Sequence, residues 1–301
     1  MAFDLDTLID RRRLKRRLRF WRLAAVLAII ALVFVFAQKA GLRSAAYVAR
    51  ISVDDIILED AALEEVIANV ANDKNAKALI VRINSPGGST TGSESLYQAL
   101  RQVAATKPVV SVMGTLAASG GYVVAIAGDQ IFARETTLTG SIGVIMEYAE
   151  FSRLFDKLGV KVDAIKSAPL KGEPSLAEPL SKEGRLALQG LIDDSYDWFV
   201  GLVAARRNMS EEKARALADG RVYTGRQAVK NGLIDALGGE AEARAWLMSE
   251  RGVATDLPTV DVDMTAEERL LQQFVGDAIA RIFASPRLAL DGMVSLWHPT
   301  T

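Results

Sequence analysis

The chain has no cysteine and a single histidine, and both scarcities restrict its chemistry. Without cysteine, disulfides, thiol nucleophiles, cysteine–zinc sites and iron–sulfur clusters are excluded. The histidine is His298, among the last four residues, where chains are usually poorly ordered. We therefore expect no metal site and no cofactor, and a hydrolase built from this chain would use a base other than histidine.

The composition indicates a folded protein without an excess of charge of either sign. Hydrophobic residues make up 50% of the 301 residues and charged residues 24%, values that exclude a disordered or collagen-like chain. The 36 basic and 37 acidic side chains leave a net charge of −1, so we expect no nucleic-acid partner.

The N-terminal part combines a basic run with an apolar run. Residues 1–22 hold eight basic and three acidic side chains, and residues 23–37 are all apolar. We predict a basic cytoplasmic segment over 1–22 and a single transmembrane anchor over 23–39 in the plasma (inner) membrane. A cleaved signal is the alternative, because Val35-Phe36-Ala37 resembles a cleavage site. Both interpretations place residues 40–301 outside the cytoplasm, in the periplasm.

Downstream, short apolar runs alternate with helical patterns, which predicts an α/β fold with parallel βαβ units. The predicted strands are Tyr47–Val53, Ala78–Ile83, Val109–Met113, Gln130–Ala133 and Val160–Ile165. The predicted helices are Leu58–Asn72, Ser93–Ala105, Gly120–Ala127 and Ser181–Arg207. We expect one domain over residues 45–254 and a C-terminal tail over 255–301 with one amphipathic helix, Thr265–Phe283.

Two loops combine glycines with a residue that could take part in acyl transfer. Asn84-Ser-Pro-Gly-Gly88 follows a predicted strand and fits a type II turn, although Gly88 could also offer its N–H to an oxyanion. In Gly114-Thr-Leu-Ala-Ala-Ser-Gly-Gly-Tyr122, Ser119 is either a helix N-cap or an attacking hydroxyl. Small residues on both sides give that hydroxyl access, and the Gly120 N–H would point at the developing oxyanion.

Two further loops carry single polar residues of interest. Thr139-Gly-Ser-Ile-Gly143 contains Ser141, which could equally be a plain turn hydroxyl. Ser167-Ala-Pro-Leu-Lys-Gly-Glu-Pro174 contains Lys171, and a solvated loop lysine is its simplest interpretation.

Together these loops closely resemble the signal peptide peptidase A family, bacterial membrane-anchored serine–lysine proteases. The resemblance covers about residues 45–250. Its motifs are Asn84-Ser-Pro-Gly-Gly88, Ala117-Ala-Ser-Gly-Gly-Tyr122, Leu138-Thr-Gly-Ser-Ile-Gly-Val144, Lys171 and Asp219-Gly-Arg-Val-Tyr-Thr-Gly225. It implies a Clp-protease/crotonase-like fold, a repeated ββα superhelix with parallel sheets, preceded by one N-terminal transmembrane helix.

The resemblance also implies roles for individual residues. Ser119 would be the nucleophile, Lys171 its base and Ser141 the group that orients the lysine, while Gly88 would donate its N–H to the oxyanion. The lysine has to be neutral to accept the Ser119 proton, which requires shielding from water. Nearby lysines that could take its place are Lys161, Lys166 and Lys182.

By resemblance, the substrates are cleaved signal peptides and other apolar peptides at the membrane. In single-copy members of the family, the serine and lysine of one site come from adjacent subunits of a cyclic homo-oligomer. Two other functions stay open: a crotonase-like acyl-CoA hydratase or hydrolase, and a non-catalytic membrane scaffold. The anchor argues against the first because CoA esters are cytoplasmic. The intact Ser119, Lys171 and Ser141 argue against the second.

Overall fold

The chain divides into two units, residues 1–46 and 47–301. The computed structural model describes residues 46–262, the backbone of 294–296 and single or short helical stretches at 17, 18, 20–23, 25–27 and 29. Within these described parts, no helix has the length and apolar character needed to cross a membrane.

Several predictions concern positions outside the described residues. Most of the anchor predicted over 23–39 lies there, as do the helix predicted over Thr265–Phe283 and His298. The anchor, the helix and the poor order expected around His298 therefore stay predictions.

In the second unit, strands alternate with helices, as the sequence predicts. The described strands are β1 (Tyr47–Ile57), β2 (Ala76–Ser89), β3 (Val109–Ala118), β4 (Gln130–Ala133), β5 (Leu138–Gly140), β6 (Val222–Thr224), β7 (Ala236–Leu237), β8 (Thr259–Asp261) and β9 (Val294–Leu296). The described helices are α1 (Ala61–Asn72), α2 (Thr90–Ala104), α3 (Gly120–Ala125), α4 (Ser152–Leu158), α5 (Lys182–Arg206), α6 (Glu211–Leu217), α7 (Gly225–Asn231) and α8 (Glu240–Arg251).

A mostly parallel sheet forms the framework of this mixed α/β unit. Its strands lie in the order β6-β5-β3-β2-β1-β8. Strands β8, β1, β2 and β3 run parallel, and α1 and α2 make the crossovers between the last three. Strand β3 forks, because Val110–Val112 pairs with β4 whereas Leu116–Ala118 pairs with β5. Strand β6 is antiparallel to β5, and β9 is antiparallel to β2.

Both faces of the sheet are buried, which explains the nearly continuous apolar runs of its central strands. Successive side chains of a strand point to opposite faces. One face packs against α1, α2, α3 and α5, and contributes Ala49, Ile51, Leu79, Val81, Ile83, Val109 and Met113 to the larger core. The other face packs against α8 and contributes Val48, Ala78, Ile80, Val110 and Val112.

The strand predicted over Val160–Ile165 is absent, so that prediction is wrong. The segment has the alternating pattern of a strand, but a strand also needs a neighbour to receive its backbone hydrogen bonds. All six residues are exposed, and Ile165 is fully so.

The second strand is longer than predicted, since β2 continues beyond Ile83 to Ser89. Its last residues still pair with neighbours: Gly87 and Gly88 lie opposite Ile56 and Ile57 of β1, and Ser85 lies opposite Ala117 of β3. The Pro-Gly segment is therefore an irregular stretch of strand within the sheet, not a free turn.

We predict that Tyr122→Phe lowers the free energy of unfolding by about 1–3 kcal/mol. Tyr122 is fully buried, and its hydroxyl donates to the Leu233 carbonyl oxygen at 2.7 Å. Phenylalanine would leave that buried carbonyl without this donor. Urea denaturation measures the change. The control is Tyr148→Phe at a residue 40% exposed, which should change stability by less than about 0.5 kcal/mol. Equal losses of stability in the two variants would contradict a stabilising role of the Tyr122 hydroxyl bond.

Candidate active site

Ser119 lies at a strained turn between β3 and α3. Its backbone has φ +54° and ψ −121°, a conformation that residues with a side chain rarely adopt. It occupies the N-cap position of α3, as one of the two interpretations of the sequence expects, but its side chain makes no capping hydrogen bond. The strained conformation sets the serine at a sharp strand-to-helix turn, as in the nucleophile elbow of hydrolases.

The glycines after Ser119 allow two other loops to approach. A Cβ atom at Gly120 would lie 2.2 Å from Ser93 Oγ and 3.2 Å from the Gly88 nitrogen. A Cβ atom at Gly121 would lie 2.8 Å from the Ser85 carbonyl oxygen. The structure thus brings Gly120 close to Gly88.

Gly88 is equally constrained from the side of β1. A Cβ atom there would lie 1.8 Å from the Ile57 carbonyl oxygen, so no residue with a side chain fits without moving β1. The preceding Gly87 has φ +112°, a region that favours glycine. The close approach of β1 therefore requires glycine at position 88, and the positive φ favours glycine at position 87.

Ser141 lies beside Ser119 because their strands are paired. Ala118 lies opposite Gly140 in the β3–β5 ladder, and the Ser119 N–H donates to the Gly140 carbonyl oxygen at 2.8 Å. Ser141 is itself buried with φ +50°, and its N–H donates to the Arg221 carbonyl oxygen at 2.9 Å. Two strained, buried serines thus follow adjacent strands at one edge of the sheet.

Lys171 lies elsewhere in the chain's own structure. It is exposed, in the long connection between α4 and α5. It lines a groove formed by residues 162–178 of that connection, and the lining includes neither Ser119 nor Ser141. The serines and glycines of the predicted site are assembled within one chain, whereas the predicted base faces solvent.

The alternative base Lys166 is engaged in an ion pair. Its Nζ lies 2.7 Å from Glu178 Oε2, and this hydrogen bond raises the pKa of the Lys166 ammonium. A lysine held in its charged form cannot accept a proton. The ion pair with Glu178 therefore counts against Lys166 as the base.

The edge of β2 beside Gly88 carries a short antiparallel strand. Residues 294–296 form β9, and their backbone pairs with Gly87, Gly88 and Ser89. This part of β2 can therefore accept an extended peptide segment alongside the glycines.

Ser85 and Ser93 are buried near the site, and the sequence did not indicate them. The Ser93 hydroxyl donates to the Ser89 carbonyl oxygen at 2.9 Å. Ser85 is 0% exposed and contacts both β1 and the Pro-Gly segment. A signal for Ser93 does exist, because a serine on the apolar face of an amphipathic helix stands out. Ser85 has no such signal, because its sequence context is that of an ordinary turn residue.

Comparisons with known proteins match two family models to this chain. The model described as peptidase family S49 matches residues 101–254, and the model described as Clp protease matches residues 45–138.

Three similar proteins carry protease names. "Putative protease slr0021" of Synechocystis is 43% identical over 189 residues, which are 63% of this chain and 68% of that protein. "Putative signal peptide peptidase SppA" of Enterococcus faecium is 37% identical, over 65% of this chain and 57% of its own length. "Serine protease SPPA, chloroplastic" of Arabidopsis thaliana is 39% identical, over 61% of this chain and 27% of its own length.

We predict that Gly120→Ala lowers the free energy of unfolding by about 1–3 kcal/mol, the usual cost of overpacking. The new methyl group would displace the Ser93 hydroxyl from its bond with Ser89 and press on the Gly88 nitrogen. Gly190→Ala on α5 is the control, because no atom lies within 4 Å of its added Cβ. That variant should gain about 0.5–1 kcal/mol from helix propensity. Chemical denaturation measures both, and an unchanged Gly120→Ala protein would contradict the close packing.

Proposed function

The chain belongs to peptidase family S49, and from this premise we propose that it is a serine endopeptidase with Ser119 as its nucleophile. The observation that carries the proposal is the strained backbone of Ser119 between a buried strand and a glycine-led helix. Strain of this kind is retained at sites where a side chain has to be presented in one orientation.

In the proposed reaction, the Ser119 hydroxyl attacks the carbonyl carbon of a peptide bond as its proton passes to the base. The carbonyl oxygen becomes an oxyanion, held by the N–H groups of Gly88 and Gly120. The close approach of these glycines supports a shared role, since an added Cβ at Gly120 falls 3.2 Å from the Gly88 nitrogen. The base then protonates the leaving amine, and water hydrolyses the acyl-enzyme.

We assign the base to Lys171 and the orienting hydroxyl to Ser141. Without cysteine, and with one histidine near the chain end, a serine–lysine pair is among the few means of acyl transfer open to this chain. Ser141 is buried directly after β5, whose last residue pairs with the residue before Ser119, and this proximity supports an orienting contact with a lysine at Ser119.

The position of Lys171 supports a site shared between subunits of a cyclic homo-oligomer. The connection that carries it, with α4 and the residue before that helix, exposes several large apolar side chains: Phe151, Leu154, Leu158, Val162, Ile165 and Leu170. A segment that exposes so many large apolar side chains favours an interaction site. Contact with the adjacent subunit would cover these residues and shield Lys171 from water, which favours the neutral amine that the reaction requires.

The proposed substrates are cleaved signal peptides and related apolar peptides in extended form. An extended peptide can add to an exposed strand edge through main-chain hydrogen bonds. The antiparallel pairing of β9 with Gly87–Ser89 supports this mode, because it places a strand beside both the site's glycines and Ser89. We further propose the single anchor over 23–39 and the periplasmic location of the catalytic unit. We also propose the ββα superhelix, and the forked pairing of β3 supports this fold.

Neither an acyl-CoA hydratase or hydrolase nor a non-catalytic scaffold is favoured. The S49 peptidase model covers residues 101–254, which include Ser119, Ser141 and Lys171. The three similar proteins described above carry the names of proteases.

We predict that Ser119→Ala and Lys171→Ala each abolish peptide cleavage, because nucleophile and base act as one unit. Lys171→Arg should be equally inactive, since a guanidinium stays charged at any working pH. Ser141→Ala should lose less, about 10- to 100-fold in kcat, because it orients the base without reacting. A fluorogenic apolar peptide is the assay, and circular dichroism confirms the fold. Cleavage by Ser119→Ala at the wild-type rate would refute the mechanism.

We also predict that subunits with complementary defects restore activity when they assemble together. Ser119→Ala and Lys171→Ala chains, each inactive alone, are mixed in equal amounts under conditions that exchange subunits. With one serine and one lysine drawn from adjacent chains, about one quarter of the sites hold both intact groups. Activity should therefore reach about 25% of wild type. An inactive mixture, once exchange is verified by mass spectrometry of tagged chains, would show that each chain builds its own site.

A further inference from the structure

Ser85 is a buried serine whose hydroxyl group connects three backbone groups beside Gly88. The residue is 0% exposed. Its hydroxyl donates to the Asp55 carbonyl oxygen at 2.5 Å, and the Gly87 carbonyl oxygen lies 3.4 Å from the same Oγ. The same oxygen accepts the Gly87 N–H at 3.1 Å. The Gly87 N–H is therefore bonded to the Ser85 side chain, and the Gly87 carbonyl faces it.

This contact bears on the direction of the Gly88 N–H. The carbonyl of Gly87 and the N–H of Gly88 belong to one trans peptide, in which the two groups point in opposite directions. Because the Gly87 carbonyl faces Ser85, the Gly88 N–H faces away from Ser85. An added Cβ at Gly120 would lie 3.2 Å from this Gly88 nitrogen, so the second proposed donor is close to it.

A pair of glycines needs such a restraint. Glycine crosses readily between conformations that other residues cannot enter, so the Gly87–Gly88 peptide could turn over at little cost. In the reversed orientation, a carbonyl oxygen would point at the developing oxyanion and repel it.

The other partner of Ser85 is an irregular point of β1. Asp55 has φ +59°, and the β1–β2 register shifts between Asp54 and Ile56. Only beyond this shift does Ile57 come to lie opposite Gly88. The Ser85 hydroxyl thus ties the irregular part of β1 to the segment that carries Gly88.

We propose that Ser85 is a positioning residue for the oxyanion hole, which fixes the Gly87–Gly88 peptide so that the Gly88 N–H points at the reacting carbonyl. The inference rests on the proposed function of Gly88 as an oxyanion donor. Ser85 does not touch the substrate, and its effect passes through the Gly87 backbone.

The test compares Ser85→Ala with Ser111→Ala. Ser111 is also 0% exposed, and its hydroxyl donates to the Ala125 carbonyl oxygen at 2.8 Å, the same kind of bond in another part of the core. Active sites are first counted by titration with a fluorophosphonate, so that loss of folded protein does not affect the rates. Per site, Ser85→Ala should lose about 10- to 100-fold in kcat with KM within about twofold. Ser111→Ala should keep the wild-type kcat.

A second measurement separates oxyanion binding from general damage. A peptide aldehyde forms a tetrahedral adduct whose oxygen occupies the oxyanion hole, whereas the corresponding peptide alcohol forms no adduct. Ser85→Ala should bind the aldehyde more weakly in proportion to its loss of kcat and bind the alcohol as the wild type does. If Ser85→Ala does not fold, Ser85→Cys, whose thiol is a weaker donor and acceptor, carries the same comparison with a smaller loss.

The outcomes distinguish this inference from the function on which it rests. Unchanged kcat and aldehyde affinity per site in the Ser85 variants, while Ser119→Ala is inactive, would overturn the role of Ser85 alone. Cleavage by Ser119→Ala would overturn the proposed function itself.

Discussion

The positive φ of Ser119 is the constraint on which the rest of the site depends. A residue with a side chain in this region costs about 1–3 kcal/mol, so the surrounding structure has to hold it there. The Ser119 N–H is bonded to Gly140, and its carbonyl accepts the N–H groups of Tyr122 and Val123 at the start of α3. The strained turn is thus fixed by β5 on one side and by a fully buried helix on the other.

The parallel sheet explains why the remaining groups meet at this turn. Carboxyl ends of parallel strands lie at one edge of a sheet, where α/β proteins place their sites. Gly88, Ser119 and Ser141 each follow or end one of three adjacent strands, β2, β3 and β5. Lys171 has no such strand to fix it, since it lies in an exposed connection. On this account, the sheet positions the nucleophile and the oxyanion donors, and a second subunit supplies the base.

Much of this arrangement could be predicted from sequence, because buried parallel strands leave continuous apolar runs and the glycines around Ser119 mark a close approach. The backbone strain at Ser119 could not, because a φ angle does not follow from the local residue pattern. For Lys171, the loop itself predicted an exposed side chain, whereas the family resemblance implied a base shielded from water. The strand predicted over Val160–Ile165 was wrong because alternation is a local pattern, whereas strand pairing depends on a neighbour far along the chain. The contact of Ser85 could not be predicted because its partner Asp55 is distant in sequence and has an irregular backbone conformation.

The most direct test of the account is to identify the residue that a mechanism-based reagent modifies. The full-length protein is treated with a peptidyl fluorophosphonate, which phosphonylates a serine only where a base and an oxyanion hole activate it. The modified residue is then located by tandem mass spectrometry. The account predicts one adduct per site, on Ser119 and on neither Ser141 nor Ser93. An adduct on another serine, or none in a preparation that cleaves peptides, would contradict it.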